Sequence, residues 1–344
     1  MSPTPDKHDR VVVITGASAG LGRAIAQRFA DDHARIGLIA RGRERLESAR
    51  QDVESRGGAA LVIPLDVADP DAVEQAAESV ERELGPIDVW VNNAMTSVFS
   101  PVTEMLPEEY RRVIEVNYLG FVHGTLAALK RMRARNAGVI IQVGSALAHR
   151  SIPLQSAYCA SKHAIKGFTE SLYTELLHDK SRIRVTMVDM PAMNTPQFDW
   201  VKSRLPNRAQ PVPPIFQPEV GAQAVFYAAH TDCGPELLVA WPTVKAVVGE
   251  KFVDDYINHR LARTGYVSQQ TSEPALDRPN NLWEPVPGEW SAHGRFDDRA
   301  RPFSLELWAR MHRQWLAIGA AGALGLALAT FTGRDRESSS TPRS

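Results

Sequence analysis

The amino-acid sequence predicts an α/β fold: a doubly wound, seven-stranded parallel sheet with helices on both faces, followed by a C-terminal extension. Two observations carry this expectation. From Arg10 to about Trp241, short β-branched runs alternate with amphipathic helical stretches, the pattern of βα units joined by crossovers. The runs are too apolar to be half-exposed strands, as a parallel sheet covered on both faces requires. A closed barrel of the same units is compatible with the alternation, and the glycine-rich turn after the first run decides for the open sheet.

In chain order, VVVIT (11–15), ARIGLIA (34–40), AALVIPL (59–65), IDVWVN (87–92), GVIIQVG (138–144), IRVTMV (183–188) and ELLVA (236–240) are expected strands. Helices are expected over 20–31, 43–56, 70–84, 107–135, 156–178 and 218–229, the third announced by the entry signal Asp69-Pro70. A helical pattern continues over 242–263. Residues 264–303 are rich in Pro, Gly, Asp, Asn and Trp without periodicity. They read as an extended arm, ordered by Tyr266, Trp283, Trp290 and Phe296 where it docks on the core.

Beyond Arg313 come 20 uncharged residues, 314–333. As a helix rising ~1.5 Å per residue they would span about 30 Å, the thickness of a bilayer's hydrocarbon core. Trp308 and Trp315 at one end, Phe331 at the other, and the flanking Arg310, Arg313, Arg334 and Arg336 suit a membrane anchor. A helix buried in a dimer interface or against the core is the alternative, and Gly319, Gly322 and Gly325 permit close approach in either setting.

The formal net charge of −1 gives no electrostatic ground for a nucleic-acid partner. Two cysteines, Cys159 and Cys233, lack metal-ligand spacing, so neither a disulfide framework nor a metal site is expected, in keeping with a reducing compartment. Met1 to Arg10 is polar and lacks the apolar segment of a cleaved signal peptide.

VVVIT runs directly into Gly16-Ala17-Ser18-Ala19-Gly20-Leu21-Gly22, and a helix follows. Gly16 allows the tight turn, Gly20 lets the backbone approach a pyrophosphate, and Gly22 permits close helix packing. The N–H groups at the helix start then face the phosphates. The spacing is TGxxxGxG rather than GxGxxG, and its place in the first βα unit marks a Rossmann-type dinucleotide site. At the end of the second strand, where an acid would serve the ribose hydroxyls of NAD, stands Ala40-Arg41-Gly42-Arg43. A guanidinium pairs with a 2′-phosphate through a planar fork of donors. NADP(H) is therefore favoured over NAD(H), with Arg41 as the expected partner and Arg43 as a candidate for the helix surface.

Tyr158-Cys159-Ala160-Ser161-Lys162 opens a predicted helix, and spacing i,i+4 puts the phenol and the ammonium on one face. A free tyrosine has a pKa near ~10, too high for easy proton exchange. The Lys162 cation and the positive oxidised nicotinamide would favour the phenolate. Ser145 ends a strand 13 residues upstream and can donate a hydrogen bond to a substrate oxygen beside Tyr158.

Over about residues 10–245 the sequence resembles the short-chain dehydrogenase/reductase family. The matching motifs are TGASAGLG (15–22), Asp66-Val67, Asn92-Asn93-Ala94, Asn117, Ser145, Tyr158–Lys162 and Pro191 with Thr195. The resemblance implies Tyr158 as acid/base, with Lys162 orienting the nicotinamide ribose and lowering the tyrosine pKa. Ser145 would polarise the carbonyl and Asn117 would hold a water relaying protons from Lys162. Cofactor contacts would run along Gly16, Ser18, Gly20, Leu21 and Gly22, then Asp66 at the adenine with Val67, Asn93 and Ala94, and Pro191 with Thr195 at the carboxamide. Asn92 would support the central strand, and oligomerisation would use the Tyr158 helix. Two positions depart from the family pattern: Met95 stands where glycine is usual and brings a bulky side chain near the cofactor, and Ala192 follows Pro191, narrowing backbone freedom.

His123, His149 and His163 are expected on the surface or lining the pocket, Cys159 as a buried small hydrophobe, and Asp254-Asp255 on a solvated helix face. The expected function is NADP(H)-dependent interconversion of a carbonyl and a primary or secondary alcohol. The substrate is selected by residues 190–216, whose Met, Phe, Trp and prolines suggest an apolar pocket under a mobile lid and a lipophilic substrate. The alternative is a membrane-tethered nucleotide-binding scaffold with little catalysis. The expected organisation is a dinucleotide-binding catalytic domain at 1–245, a helix and arm at 246–305, an apolar helix at 306–333 and a polar tail at 334–344. The catalytic domain would lie on the cytoplasmic side, anchored by 314–333.

Overall fold

The computed structural model describes residues 10–252 and 254–313. One parallel sheet holds seven strands: β1 (Val11–Thr15), β2 (Arg35–Ala40), β3 (Ala59–Pro64), β4 (Val89–Asn92), β5 (Gly138–Ser145), β6 (Ile183–Met190) and β7 (Glu236–Leu238). Every expected apolar run is a strand, its ends shifted by at most two residues. The spatial order is β3-β2-β1-β4-β5-β6-β7. The chain therefore winds outward from β1 in both directions, and a crevice opens at the carboxyl ends of β1 and β4.

The helices that cover the sheet are α1 (Gly20–Ala30), α2 (Arg43–Ser55), α3 (Pro70–Glu83), α4 (Pro107–Ile114), α5 (Gly120–Arg135), α6 (Ser156–His178) and α7 (Pro218–His230). Val11 and Val13 of β1 pack with residues of α3, α5 and α6 such as Val80, Met132 and Leu176. The alternate residues Val12 and Ile14 are just as buried and point to the opposite side. There α1 packs against α2 and α7. The Asp69 side chain accepts from the Asp71 and Ala72 amides at 3.0 and 3.1 Å and caps α3, with Pro70 in its first turn, as the entry signal predicted.

The stretch 107–135, expected as one helix, is interrupted by a π turn at Glu115–Leu119. The cause lies at Asn117. Its side-chain oxygen accepts from the Thr96 amide at 2.8 Å, and its amide donates to the Thr96 carbonyl and the Ser161 hydroxyl at 3.0 Å each. The wider turn swings Asn117 inward to make these bonds, and π turns of this kind recur at functional sites.

Beyond the sheet come α8 (Ala240–Phe252) and α9 (Asp254–Ser268). Residues 270–274 of the arm, expected to lack regular structure, pair antiparallel with 207–209. Phe296 is buried and Trp290 sets its edge on Trp200 at 4.8 Å, but Tyr266 and Trp283 stay 46% and 48% exposed. The anchor that aromatic content did not reveal is Leu282, fully buried against Val98, Val113 and Ala157.

Residues 190–216 are likewise more tightly held than the expected lid. Phe198, Val201, Leu205, Ala209 and Ile215 join Phe99, Leu154 and Phe296 in an apolar cluster of their own. Residues 202–203 also pair in parallel with 98–99. A second compact unit begins at Ser304. Its described part is α10 (Leu305–Met311), capped by the Ser304 hydroxyl accepting from the Leu307 amide. The apolar stretch 314–333 lies outside the described residues, and among the described residues no helix is long and apolar enough to cross a membrane.

One buried polar network ties β4 and β5 to α5. Trp90 donates to the Asn92 side-chain oxygen at 2.8 Å, and the Asn92 amide reaches Phe121 carbonyl, Thr125 hydroxyl and Gln142 side-chain oxygens. Asn92→Ala strands the indole N–H and the Gln142 oxygen in the core, so equilibrium urea unfolding is expected to show a loss of about 2–4 kcal/mol. A loss below ~1 kcal/mol would mean that the network is dispensable.

Candidate active site

The crevice is built by the ends of β1 and β4. The Thr15 hydroxyl accepts from the Asn93 and Ala94 amides at 2.9 and 3.0 Å, and the Asn93 side chain donates to the Thr15 carbonyl at 3.0 Å. These bonds fix the turn that follows. Gly16 and Gly20 take φ of +70° and +58°, left-handed conformations that favour glycine. A Cβ on Gly22 would lie 2.2 Å from the Gly16 carbonyl oxygen, so the start of α1 closes on the turn only because that Cβ is missing.

A cavity of about 410 Å³ opens above this turn. All the residues expected at the site except Asn117 line it, from the glycine turn through Arg41, Asp66 and Asn93 to Ser145, Tyr158, Lys162, Pro191 and Thr195. Met95 and Ala192 line it too, without filling it. Arg41 stands in its wall, where burial lowers the guanidinium pKa, whereas Arg43 pairs with Glu47 on the exposed face of α2. Sequence reasoning passed over Arg45. Its guanidinium lies in the same wall, 5.3 Å from the Trp200 ring centre, and burial lowers its pKa as well. Among the described residues no anion pairs with it. Arg45 follows Arg41 by four residues, across the start of α2, a spacing that was legible in the sequence.

Tyr158 and Lys162 project from the first turns of α6, and the Ser145 hydroxyl at the end of β5 lines the same cavity and favours ionisation of the phenol. The Lys162 ammonium is 5.6 Å from the Tyr158 ring centre and 4.9 Å from that of Phe121, and it donates to the Val143 carbonyl at 2.7 Å. Burial pushes Lys162 down to about 8, with the Asp189 carboxylate opposing. Burial pushes the Tyr158 phenol up, against the hydrogen bond from Ser145. Desolvation therefore prevails in the chain by itself, and the lowering expected from Lys162 is not among the influences on the phenol.

Asp66 accepts from the Ala68 amide at 3.0 Å and pairs with Arg112. The side chain of Asn117 is saturated by Thr96 and Ser161 and stands behind the cavity wall. His149, expected on the surface or lining the pocket, is instead a mostly buried ionic hub. Its Nε2 lies 3.0 Å from Asp189 and 3.2 Å from Glu236. Burial alone would lower its pKa, but these two carboxylates raise it to about 9. The pairing joins residues 40 and 87 positions apart and leaves no local sequence signal.

Comparison with known proteins matches this arrangement. Residues 10–204 match the family described as short chain dehydrogenase. An uncharacterized oxidoreductase, YxnA, of Bacillus subtilis is 34% identical over 272 residues, covering 78% of this chain and 76% of that protein. A fatty acyl-CoA reductase of Acinetobacter baylyi is 33% identical over 221 residues, 64% of this chain and 72% of that protein. The solved structure of a metagenomic short-chain oxidoreductase in complex with NADP is 29% identical with a TM-score of 0.57, covering 67% of this chain and 96% of that one. The chain belongs to the short-chain dehydrogenase/reductase family and is an oxidoreductase on a fold that binds NAD(P).

The raised His149 pKa makes a testable contribution to stability. A group whose folded pKa exceeds its unfolded value, here about 9 against 6.5, stabilises fully below 6.5 and loses that contribution as pH rises through 9. Lys162, lowered in the fold, acts with the opposite sign, so the comparison must be with a variant. The urea midpoint of the native chain is expected to fall more between pH 6.5 and pH 10 than that of His149→Gln. Parallel pH curves would show that His149 is neutral in the fold.

Proposed function

We propose that this chain is an NADP(H)-dependent oxidoreductase that interconverts a carbonyl and an alcohol, with Tyr158 as its acid/base. The observation that carries the reading is the convergence of Ser145, Tyr158 and Lys162 on the wall of the cavity that the glycine turn opens. The residues present fit the cofactor: a glycine turn that a Cβ would fill, and two half-buried guanidiniums, Arg41 just after β2 and Arg45 in the first turn of α2. Arg41, with Arg45 beside it, would hold the 2′-phosphate. The cofactor, when bound, supplies the hydride to the carbonyl carbon.

The phenol of Tyr158 donates a proton to the carbonyl oxygen, and the Ser145 hydroxyl donates a hydrogen bond to the charge developing there. Lys162, poised near pH 8 by burial, returns a proton towards Tyr158. The substrate end of the cavity is walled by Phe99, Leu147, Ile152, Phe198, Val212 and Pro213, an apolar surface that suits a lipophilic carbonyl compound. Met95 and Ala192 favour the scaffold alternative only if they close the cavity, and it stays open around them.

Tyr158→Phe is expected to lower NADPH-dependent carbonyl reduction by about 10²–10⁴-fold with NADPH affinity kept. Unchanged turnover would remove the phenol from the mechanism. Reduction consumes a proton, so its rate is expected to fall as pH rises through about 8, where Lys162 loses its proton. In parallel, Arg41→Asp is expected to weaken NADPH binding by about tenfold or more while sparing NADH, because it removes a charge-assisted phosphate contact. Equal loss of both affinities would assign Arg41 to structure rather than to cofactor choice.

A further inference from the structure

We propose that residues 281–291 of the arm form a strap that competes with the cofactor for its phosphate donors; this rests on the NADP(H) reading above. The strap's main-chain carbonyls sit on the groups the cofactor needs. The Gly20 amide, in the turn expected to meet the pyrophosphate, donates to the Ser291 carbonyl at 3.0 Å. Arg41, expected to meet the 2′-phosphate, donates from its two terminal nitrogens to the Trp283 and Asn281 carbonyls at 2.6 Å each. Arg23, buried at the start of α1 and paired with Asp52, holds the strap in place by donating to the Trp290 carbonyl at 2.7 Å.

A carbonyl oxygen and a phosphate oxygen are both acceptors, and the single Gly20 N–H serves only one of them well. Arg41 already presents both terminal nitrogens of its fork to the strap, and a phosphate approaching that edge has to displace the two carbonyls. At the Gly20 amide the phosphate has the advantage of charge, since charge-assisted bonds are about twice as strong as neutral ones, and at Arg41 it brings an opposite charge that a carbonyl lacks. Opening the strap is also a local event. At its first end the Trp283 side chain is exposed, and the buried anchors are Leu282 and the edge contact between Trp290 and Trp200. The closed strap and the bound dinucleotide are therefore alternative occupants of one set of donors. The apparent dissociation constant is the intrinsic one divided by the fraction of chains with the strap open.

This geometry gives a sign that an ordinary lid does not. A lid that closes over bound cofactor adds contacts, and loosening it weakens binding. A competing strap removes donors, and loosening it tightens binding. The test uses the full chain, Leu282→Ala and Trp290→Ala, which release the strap from opposite ends without touching a cofactor donor. NADPH is titrated by fluorescence, and backbone hydrogen exchange over 281–291 is followed with and without NADPH; thermal melting confirms that each variant is folded.

Both variants are expected to bind NADPH about tenfold tighter than the native chain, and NADPH is expected to deprotect 281–291 in the native chain. Binding by the variants alone would support the strap in its strongest form. Weaker binding in both variants, with NADPH protecting 281–291, would overturn the competition in favour of a lid. Equal binding in all three chains would overturn the strap and leave the cofactor reading standing. No binding by any chain would overturn the cofactor reading, and the competition with it.

Discussion

The small set of hydrogen bonds that the Thr15 hydroxyl gathers from the Asn93 and Ala94 amides is the constraint on which the cleft depends. β1 and β4 are neighbours in the sheet, but the chain leaves their carboxyl ends for different helices, and nothing in a parallel ladder holds the divergent segments together. Thr15 and Asn93 do so with side chains, which allows the glycine turn to keep its left-handed residues and α1 to start where it does. The positions of Ser145 and Tyr158 follow from the next strand over, since β5 pairs with β4 in register and α6 packs on β5 and β6.

Burial then sets the chemistry. Lys162 is almost sealed among Phe121, Tyr158 and the Val143 carbonyl, and the cost of holding a charge there brings an ordinarily strong cation into the range where it exchanges protons. The same burial works against Tyr158, whose phenol is pushed away from ionisation. The site thus keeps Tyr158 as a proton donor at rest, and a cationic ligand beside it would favour release of that proton. His149, Asp189 and Glu236 lie at the rear of this arrangement. The carboxylate that opposes the lowering of Lys162 is the one paired with His149.

The sequence was most legible where function demands local chemistry. A glycine turn placed directly after an apolar strand, and a phenol four residues from an amine on one helix, are short-range patterns whose spacing is preserved on folding. The sheet was legible for the same reason, because strands covered on both faces leave unbroken apolar runs. What escaped depends on contacts between distant residues. Leu282 looks like any loop leucine until it is buried among Val98, Val113 and Ala157, and Trp283 beside it, the more conspicuous residue, stays largely exposed. The π turn at 115–119 was invisible because its cause, Thr96, lies 21 residues from Asn117. The segment 190–216 carried the composition of a flap but folds over its own apolar cluster, and composition cannot say which apolar residues find each other.

That π turn has a consequence for how this region tolerates change in length. A π turn is in effect one residue added to a helix, and the residues facing inward across it, Val113, Asn117, Phe121 and Thr125, are spaced by four throughout. A regular helix advances about 100° per residue, so removing one residue between 115 and 119 would restore ordinary winding and turn everything downstream by that angle. Thr125 would leave the Asn92 and Gln142 network, and Gly124 would no longer present its bare backbone to Trp90. In most helix–helix connections a one-residue deletion is absorbed by slack. Here the chain has none, and the length of 107–135 is as much a part of the site's specification as the identity of the residues in it.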